Sequence, residues 1–356
     1  AGNEYAAPTN EIEAALIGIW QELLNVNRIG INDNFFELGG HSLLALQLFG
    51  SIEKLSGRKF PISTLFNSPT IKELAEIIKD KGWVQPWKSL VPIKPGGSRL
   101  PLYCVPNAGG TALQFQELLK YVSSEQPIYV LESIGLDGVE KPHTDLREMS
   151  SFYIKEIQTF QPKGPYMLCG RCFGGRVAYE MAQQLMAAGE EVALLAIFDT
   201  WPPFVAPPPH HVPQKRDAQH FIKRSFYHLK SGKLFTVAKN YTVNKFIKIQ
   251  RKIKETVGYI MSDSKQRRYE EIKLIHFKAQ DEYVADKYPG KITLIECEAF
   301  KEETREKWKE LAGGGLESYT IPGTDHKTIV TEPYIRYFAE KLDEVLKETD
   351  DEVKSR

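Results

Sequence analysis

Apolar positions recur with a helical period through the first eighty residues. In NEIEAALIGIWQELL (10–24), Ile12, Leu16, Ile19, Trp20, Leu23 and Leu24 fall on one face, and Asn10 with Glu13 predicts a capping box at its start. The period returns in HSLLALQLFGSIEKL (41–55) after Gly39-Gly40, and again in TIKELAEIIKDK (70–81), which opens on a second box, Thr70 and Glu73, behind Pro69. Three amphipathic helices suffice to close one small core, so residues 1–81 are expected to form an all-α unit. The period then stops. GWVQPWKSLVPIKPGGS (82–98) is rich in Pro, Gly and Ser and reads as a linker, whose Trp83 and Trp87 can dock on a neighbour.

Beyond it, short apolar runs alternate with helical stretches. LPLYCVP, PIYVLE, PYMLCG, EVALLAIFD, IKLIHFK, KITLIECE and LESYTIP read as strands, and the segments near 112–121, 148–159, 174–188 and 333–347 read as helices. This alternation predicts a mostly parallel sheet covered by helices. Residues 200–270 interrupt it with a proline-rich start, WPPFVAPPPHH, followed by basic amphipathic stretches, and are expected to form a lid.

Composition narrows the class. The chain has 356 residues, a length that suits about two or three domains. Its 46 basic and 46 acidic residues cancel, which gives no argument for nucleic acid or a membrane surface as partner. The distribution is uneven, however: residues 1–80 hold ten acids and six bases, whereas 215–268 hold fifteen bases and three acids. The basic segment is expected to attract the acidic N-terminal unit, in which case salt slows any transfer between them. Four cysteines, 104, 169, 172 and 297, are too few for a disulfide scaffold and form no zinc pattern, so a cytoplasmic setting is expected. No apolar run approaches the roughly eighteen residues of a membrane span, and the N-terminus has no signal-peptide character. The start without Met suggests a segment of a longer chain. The adjacent His210 and His211 lack further metal ligands nearby.

The candidate chemistry centres on CGRCFGG (169–175). Cys169 and Cys172 have the C-x-x-C spacing of a redox dithiol; Gly170 to Gly174 have the spacing of a hydrolase elbow with cysteine as nucleophile. The flanks favour the elbow. A strand precedes it, a helix follows, and small residues stand where the backbone must turn beside packed neighbours, which the dithiol reading leaves unexplained. The elbow requires a base and an acid later in the chain. Asp199, ending the next strand, and His326, in IPGTDHKTIV, stand in that order, with Asp325 as the reserve acid. The glycine-rich turn in CVPNAGG (104–110) offers the Ala108 N–H as an oxyanion donor beside that of Phe173.

At these residues a resemblance enters. DNFFELGGHSLLA (33–45) resembles the attachment motif of peptidyl carrier proteins, and CGRCFGGRVAYEMA, FDTWPP and IPGTDH resemble the thioesterase domains that end nonribosomal peptide synthetases. The resemblance covers nearly the whole chain, the lid least well. It implies a four-helix carrier bundle (1–81), a linker (82–98) and an α/β-hydrolase domain (99–350) with a helical lid insertion at about 200–270. It implies 4'-phosphopantetheine on Ser42, Cys172 as nucleophile, Asp199 as acid and His326 as base. The implied activity is release of a carrier-bound peptidyl or acyl thioester by cyclisation or hydrolysis. The implied partners are upstream condensation and adenylation domains and a phosphopantetheinyl transferase. The sequence departs from the family pattern at Cys172, usually serine, at Pro106-Asn107, often His-Pro, and at Arg171, often an aromatic. Two other functions are compatible with these residues: a non-releasing didomain in which an engineered Cys172 traps acyl groups, and a dithiol oxidoreductase.

Overall fold

The computed structural model describes residues 5–40, 42–61, 64–83, 88–136, 138, 140–205, 264–300 and 302–356. The expected lid lies mostly outside the described residues, as do His210, His211 and Trp87.

The N-terminal helices are α1 (Glu11–Leu24), α2 (Ser42–Ser56), α3 (Thr64–Asn67) and α4 (Ile71–Lys79). Leu16 and Trp20 of α1, Leu48, Phe49 and Ile52 of α2, Leu65 of α3 and Leu74 of α4 bury into one cluster around Phe35. Thr70 and Glu73 cap α4 reciprocally, as the sequence suggests. At α1 only half of the expected box forms: Asn10 accepts from the Glu13 N–H, but the Glu13 carboxylate accepts from Thr9 N–H at 2.7 Å instead of reaching Asn10. Trp83 lies 5.7 Å from the Phe60 ring, and Leu113, from beyond the expected linker, joins the same cluster.

The rest is built on a seven-stranded sheet, β1 (Leu90–Lys94), β2 (Leu102–Val105), β3 (Ile128–Leu131), β4 (Tyr166–Arg171), β5 (Val192–Phe198), β8 (Ile292–Cys297) and β9 (Leu316–Ile321), in the order β1-β3-β2-β4-β5-β8-β9. All neighbours are parallel except β1 with β3. A small parallel pair, β6 (Phe204–Val205) and β7 (Val284–Ala285), stands apart. Side chains alternate across the sheet with the period of two that a strand imposes. Tyr166 and Leu168 of β4 bury against α6 (Leu146–Phe160) and α7 (Phe173–Ala187), while Met167 and Cys169 bury on the face covered by α5 (Gln116–Leu119) and the C-terminal α10 (Tyr334–Lys354).

Two sequence expectations change. Leu90–Lys94, within the stretch read as linker, is strand β1; with only five residues and a proline inside, its pattern is too short to stand out. IKLIHFK (272–278), read as a strand, lies inside α8 (Ser264–Glu282). Its β-branched and aromatic residues have strand propensity, yet Ile272, His276, Ala279 and Tyr283 are buried while Leu274 is 69% exposed, which is helical spacing. Counting the histidine as a core position would have revealed it. Helix α9 (Glu302–Leu311), which buries Trp308, was also not anticipated.

In this order β2 leads to β3 on one side and β4 leads to β5 on the other. The crevice beyond the C-terminal ends of β2 and β4 is therefore the topological switch point, where open parallel sheets bind ligands.

Candidate active site

The two readings of residues 169–175 separate in space. Cys169 is fully buried in β4, its sulfur 3.0 Å from Cys104 on the adjacent strand, and burial raises its pKa well above the ordinary value. Cys172 stands beyond the strand end at φ 55°, ψ −117°, on the turn into α7. All four cysteines are free. Cys169 and Cys172 do not form a dithiol pair.

The positive φ at Cys172 is a conformation that a residue with a Cβ holds only under constraint. The constraint is visible on both sides: the Cys172 N–H donates to Phe198 O at 3.1 Å, and its carbonyl accepts from Gly175 N–H at 3.2 Å. The flanking glycines permit the approach. A Cβ at 170 would run into the Gly174 carbonyl, and one at 174 into the Val105 and Pro106 carbonyls.

Asp199 follows β5 directly, and His326 follows β9 in the loop before α10. The His326 Nδ1–H donates to Asp199 Oδ2, leaving Nε2 for the hydrogen bond with the Cys172 sulfur. The three expected residues thus come together. Asp199 is buried and His326 is about half exposed, its side chain at 47%. The hydrogen bond to Asp199, then that to Cys172, raises His326 to about 9. Burial pushes the Cys172 thiol up, but the His326 hydrogen bond and charge, the Phe173 N–H and the nearby Arg171 cation leave it below its ordinary value. Burial likewise opposes ionisation of Asp199, and hydrogen bonds from His326 and Cys297 outweigh it. The reserve acid does not join: the Asp325 carboxylate accepts from Lys327 N–H, Thr328 N–H and Thr328 Oγ1 at 2.8–3.0 Å, within its own turn.

The glycine-rich turn after β2 lies beside the elbow. Asn107 folds it by accepting from Gly109 N–H at 2.9 Å and Gly110 N–H at 2.8 Å. Behind it, buried Glu132 accepts from Ala112 N–H at 2.7 Å. The Phe173 N–H meets the Cys172 sulfur, and no hydrogen bond among the described residues uses the Ala108 N–H.

Ser42 is the first residue of α2, after Gly40, where a Cβ would strike the Phe35 ring. The helix has fifteen residues and no acid in its first turn, and the N–H groups that open a helix suit a phosphodiester there. Sequence reasoning did not single out His276 or Cys297, and it noted Arg171 only as a departure; all three touch this site.

A thioesterase domain model matches residues 100–332, and a phosphopantetheine attachment site model matches residues 14–78. The chain belongs to the thioesterase domain family. Among its relatives, malpibaldin synthetase of Mortierella alpina is 41% identical over 202 residues, 56% of this chain and 4% of that protein. The chain thus spans a small fraction of such relatives. The solved structure of holo-AB3403, a four-domain nonribosomal peptide synthetase bound to AMP and glycine, is similar over 97% of this chain and 27% of its own, with a TM-score of 0.56 and 28% identity. A NocB thioesterase domain in covalent complex with a fluorophosphonate nocardicin G analog gives a TM-score of 0.52 at 20% identity, over 72% of this chain and 99% of that one. At that identity the likeness concerns the fold, and the thioesterase domain has the α/β-hydrolase fold.

Proposed function

We propose that this chain is the terminal carrier and thioesterase pair of a nonribosomal peptide synthetase, releasing a carrier-bound peptidyl or acyl thioester through an acyl-Cys172 intermediate. The observation that carries the reading is the chain of contacts from Cys172 through His326 to Asp199 at the sheet's switch point. In this reading residues 1–81 are a four-helix carrier bundle and residues 99–350 the releasing domain, with a lid at about 200–270, and the stretch between them (82–98) contributes strand β1 to the releasing domain's sheet. Upstream condensation and adenylation domains deliver the chain, and a phosphopantetheinyl transferase modifies Ser42. The free cysteines suit a reducing cytoplasm.

Ser42 would hold the 4'-phosphopantetheine, whose thiol would supply the thioester linkage to the acyl chain. Cys172 attacks the thioester carbonyl as its proton passes to, or already resides on, His326 Nε2. A C–S bond forms, and the carbonyl electron pair moves onto oxygen between the Ala108 and Phe173 N–H groups, each worth about 3 kcal/mol in comparable enzymes. Collapse of this adduct would break the old C–S bond, with His326 Nε2–H donating its proton to the leaving sulfur. Asp199 keeps the imidazole in the required tautomer and stabilises its cationic form. In the second half, His326 takes the proton of the acceptor, Cys172 leaves as thiolate, and an acid or a ring is released. Because acyl-Cys172 is itself a thioester, the acyl group stays activated, which favours an amine or hydroxyl within the substrate.

Intact-protein mass spectrometry after loading acyl-phosphopantetheine onto Ser42 tests this. Wild type should move the acyl mass to Cys172 or lose it, while Cys172→Ala retains it on Ser42. Equal retention by both proteins would remove Cys172 from the mechanism, and the mass of the freed product separates cyclisation from hydrolysis.

A further inference from the structure

Helix α8 lies across the turn that bears Ala108. The Tyr269 ring occupies the space a Cβ at Gly109 would need, and two turns on, His276 is completely buried. Its Nδ1 is 2.8 Å from the Ala108 carbonyl oxygen. A carbonyl only accepts, so Nδ1 carries the proton and donates. The same ring stacks on Phe173, with centroids 4.6 Å apart and planes 3° from parallel. One imidazole therefore contacts both residues whose N–H groups are proposed to hold the oxyanion, one by hydrogen bond and the other by ring stacking.

We propose that His276 is a positioning residue that sets the separation and aim of the Ala108 and Phe173 N–H groups. This rests on the reading that Cys172 forms an acyl adduct. The Ala108 carbonyl shares a residue with the proposed donor, so anchoring it limits rotation of the adjoining peptide planes. The stack limits the start of α7 in the same way, and Gly174 closes the third side against the carbonyls of Val105 and Pro106. Oxyanion stabilisation depends on donors fixed before charge develops, and a displacement of about 1 Å can cost on the order of 100-fold in rate. Burial lowers His276 to about 4, so it stays neutral at ordinary pH and acts as a fixed strut. Its Nε2 is buried without a partner among the described residues, a cost that a purely structural position would avoid with an apolar ring.

The test compares wild type, His276→Phe, which keeps a ring to stack but cannot donate, and His276→Asn, whose amide N–H can reach the Ala108 carbonyl. Each is acylated with the butanoyl thioester of N-acetylcysteamine, and Cys172 is separately alkylated with iodoacetamide, a reaction that develops no oxyanion. His276→Phe should acylate about 10- to 100-fold more slowly at unchanged KM, with alkylation unchanged and partial recovery in His276→Asn. Acylation of His276→Phe at the wild-type rate would overturn the inference, as would a parallel loss of alkylation, which marks a general structural role. If wild type itself forms no acyl-Cys172, the reading on which the inference rests fails instead.

Discussion

The guanidinium of Arg171 donates to the backbone carbonyl of His326 at 2.6 Å, joining the residue before the elbow to the loop that carries the histidine. The two segments are 155 residues apart in sequence, and the His326 side chain is about half exposed, so this bond acts with the Asp199 contact to fix its approach to Cys172. Arg171→Ala should lower kcat for release about 10-fold, since misplacing a catalytic group even slightly is costly. Arg171→Lys should recover only part, because an ammonium lacks the planar fork. Steady-state kinetics on the loaded protein measure both.

The state of the Cys172–His326 pair predicts a pH profile. Cys172 titrates below its ordinary value and His326 near 9, so both charged forms coexist between those limits. Iodoacetamide alkylation of Cys172 should therefore rise at a lower pH than that of a free thiol. In His326→Asn the imidazole's downward pull is removed while burial still opposes the thiolate, so the midpoint must move up. Asp199→Asn removes the largest upward push on His326, which falls back toward an ordinary histidine and loses its proton at lower pH. The loss in kcat should be on the order of 10³- to 10⁴-fold, as when a triad acid is neutralised. Rate-versus-pH curves for the three proteins check the direction of each shift.

Cys169 and Cys172 should behave oppositely on substitution. Cys169→Ala removes a buried sulfur beside Cys104 and should cost about 1 kcal/mol in denaturant unfolding while leaving release near wild type. Cys172→Ala should abolish release with little effect on folding. A redox dithiol would instead require both sulfurs for activity.

The close approach at the elbow predicts a steric penalty. Gly174→Val places a branched side chain against the Val105 and Pro106 carbonyls, and should destabilise the protein by about 1–3 kcal/mol. Catalysis should suffer more, because the shift falls between the two proposed oxyanion donors. Thermal unfolding and acylation of Cys172, measured on the same sample, separate the two effects.

Much of this protein is written locally. The helical period around Leu16 and Trp20, the Thr70–Glu73 box and the alternation along β4 and β5 declare each element's shape and buried face, because a residue's neighbours at three, four or two positions fix that geometry. The elbow is legible for a related reason: the spacing of Gly170, Cys172 and Gly174 marks the tight turn within five residues, and the space at Gly170 is closed by Gly174 itself. Elements whose identity depends on distant partners are not legible in this way. IKLIHFK has the side chains of a strand and becomes helix because Ile272, His276 and Ala279 find a surface to bury against. Strand β1 exists because β3 offers it an edge. Sequence named both Asp199 and Asp325 as acids; only the fold, by leaving Asp325 engaged in its own turn and bringing Asp199 to the His326 imidazole, chose between them. His276 shows the limit most clearly, since its contacts with Ala108 and Phe173 bridge more than a hundred residues and arise only when α8 is laid against the sheet's end.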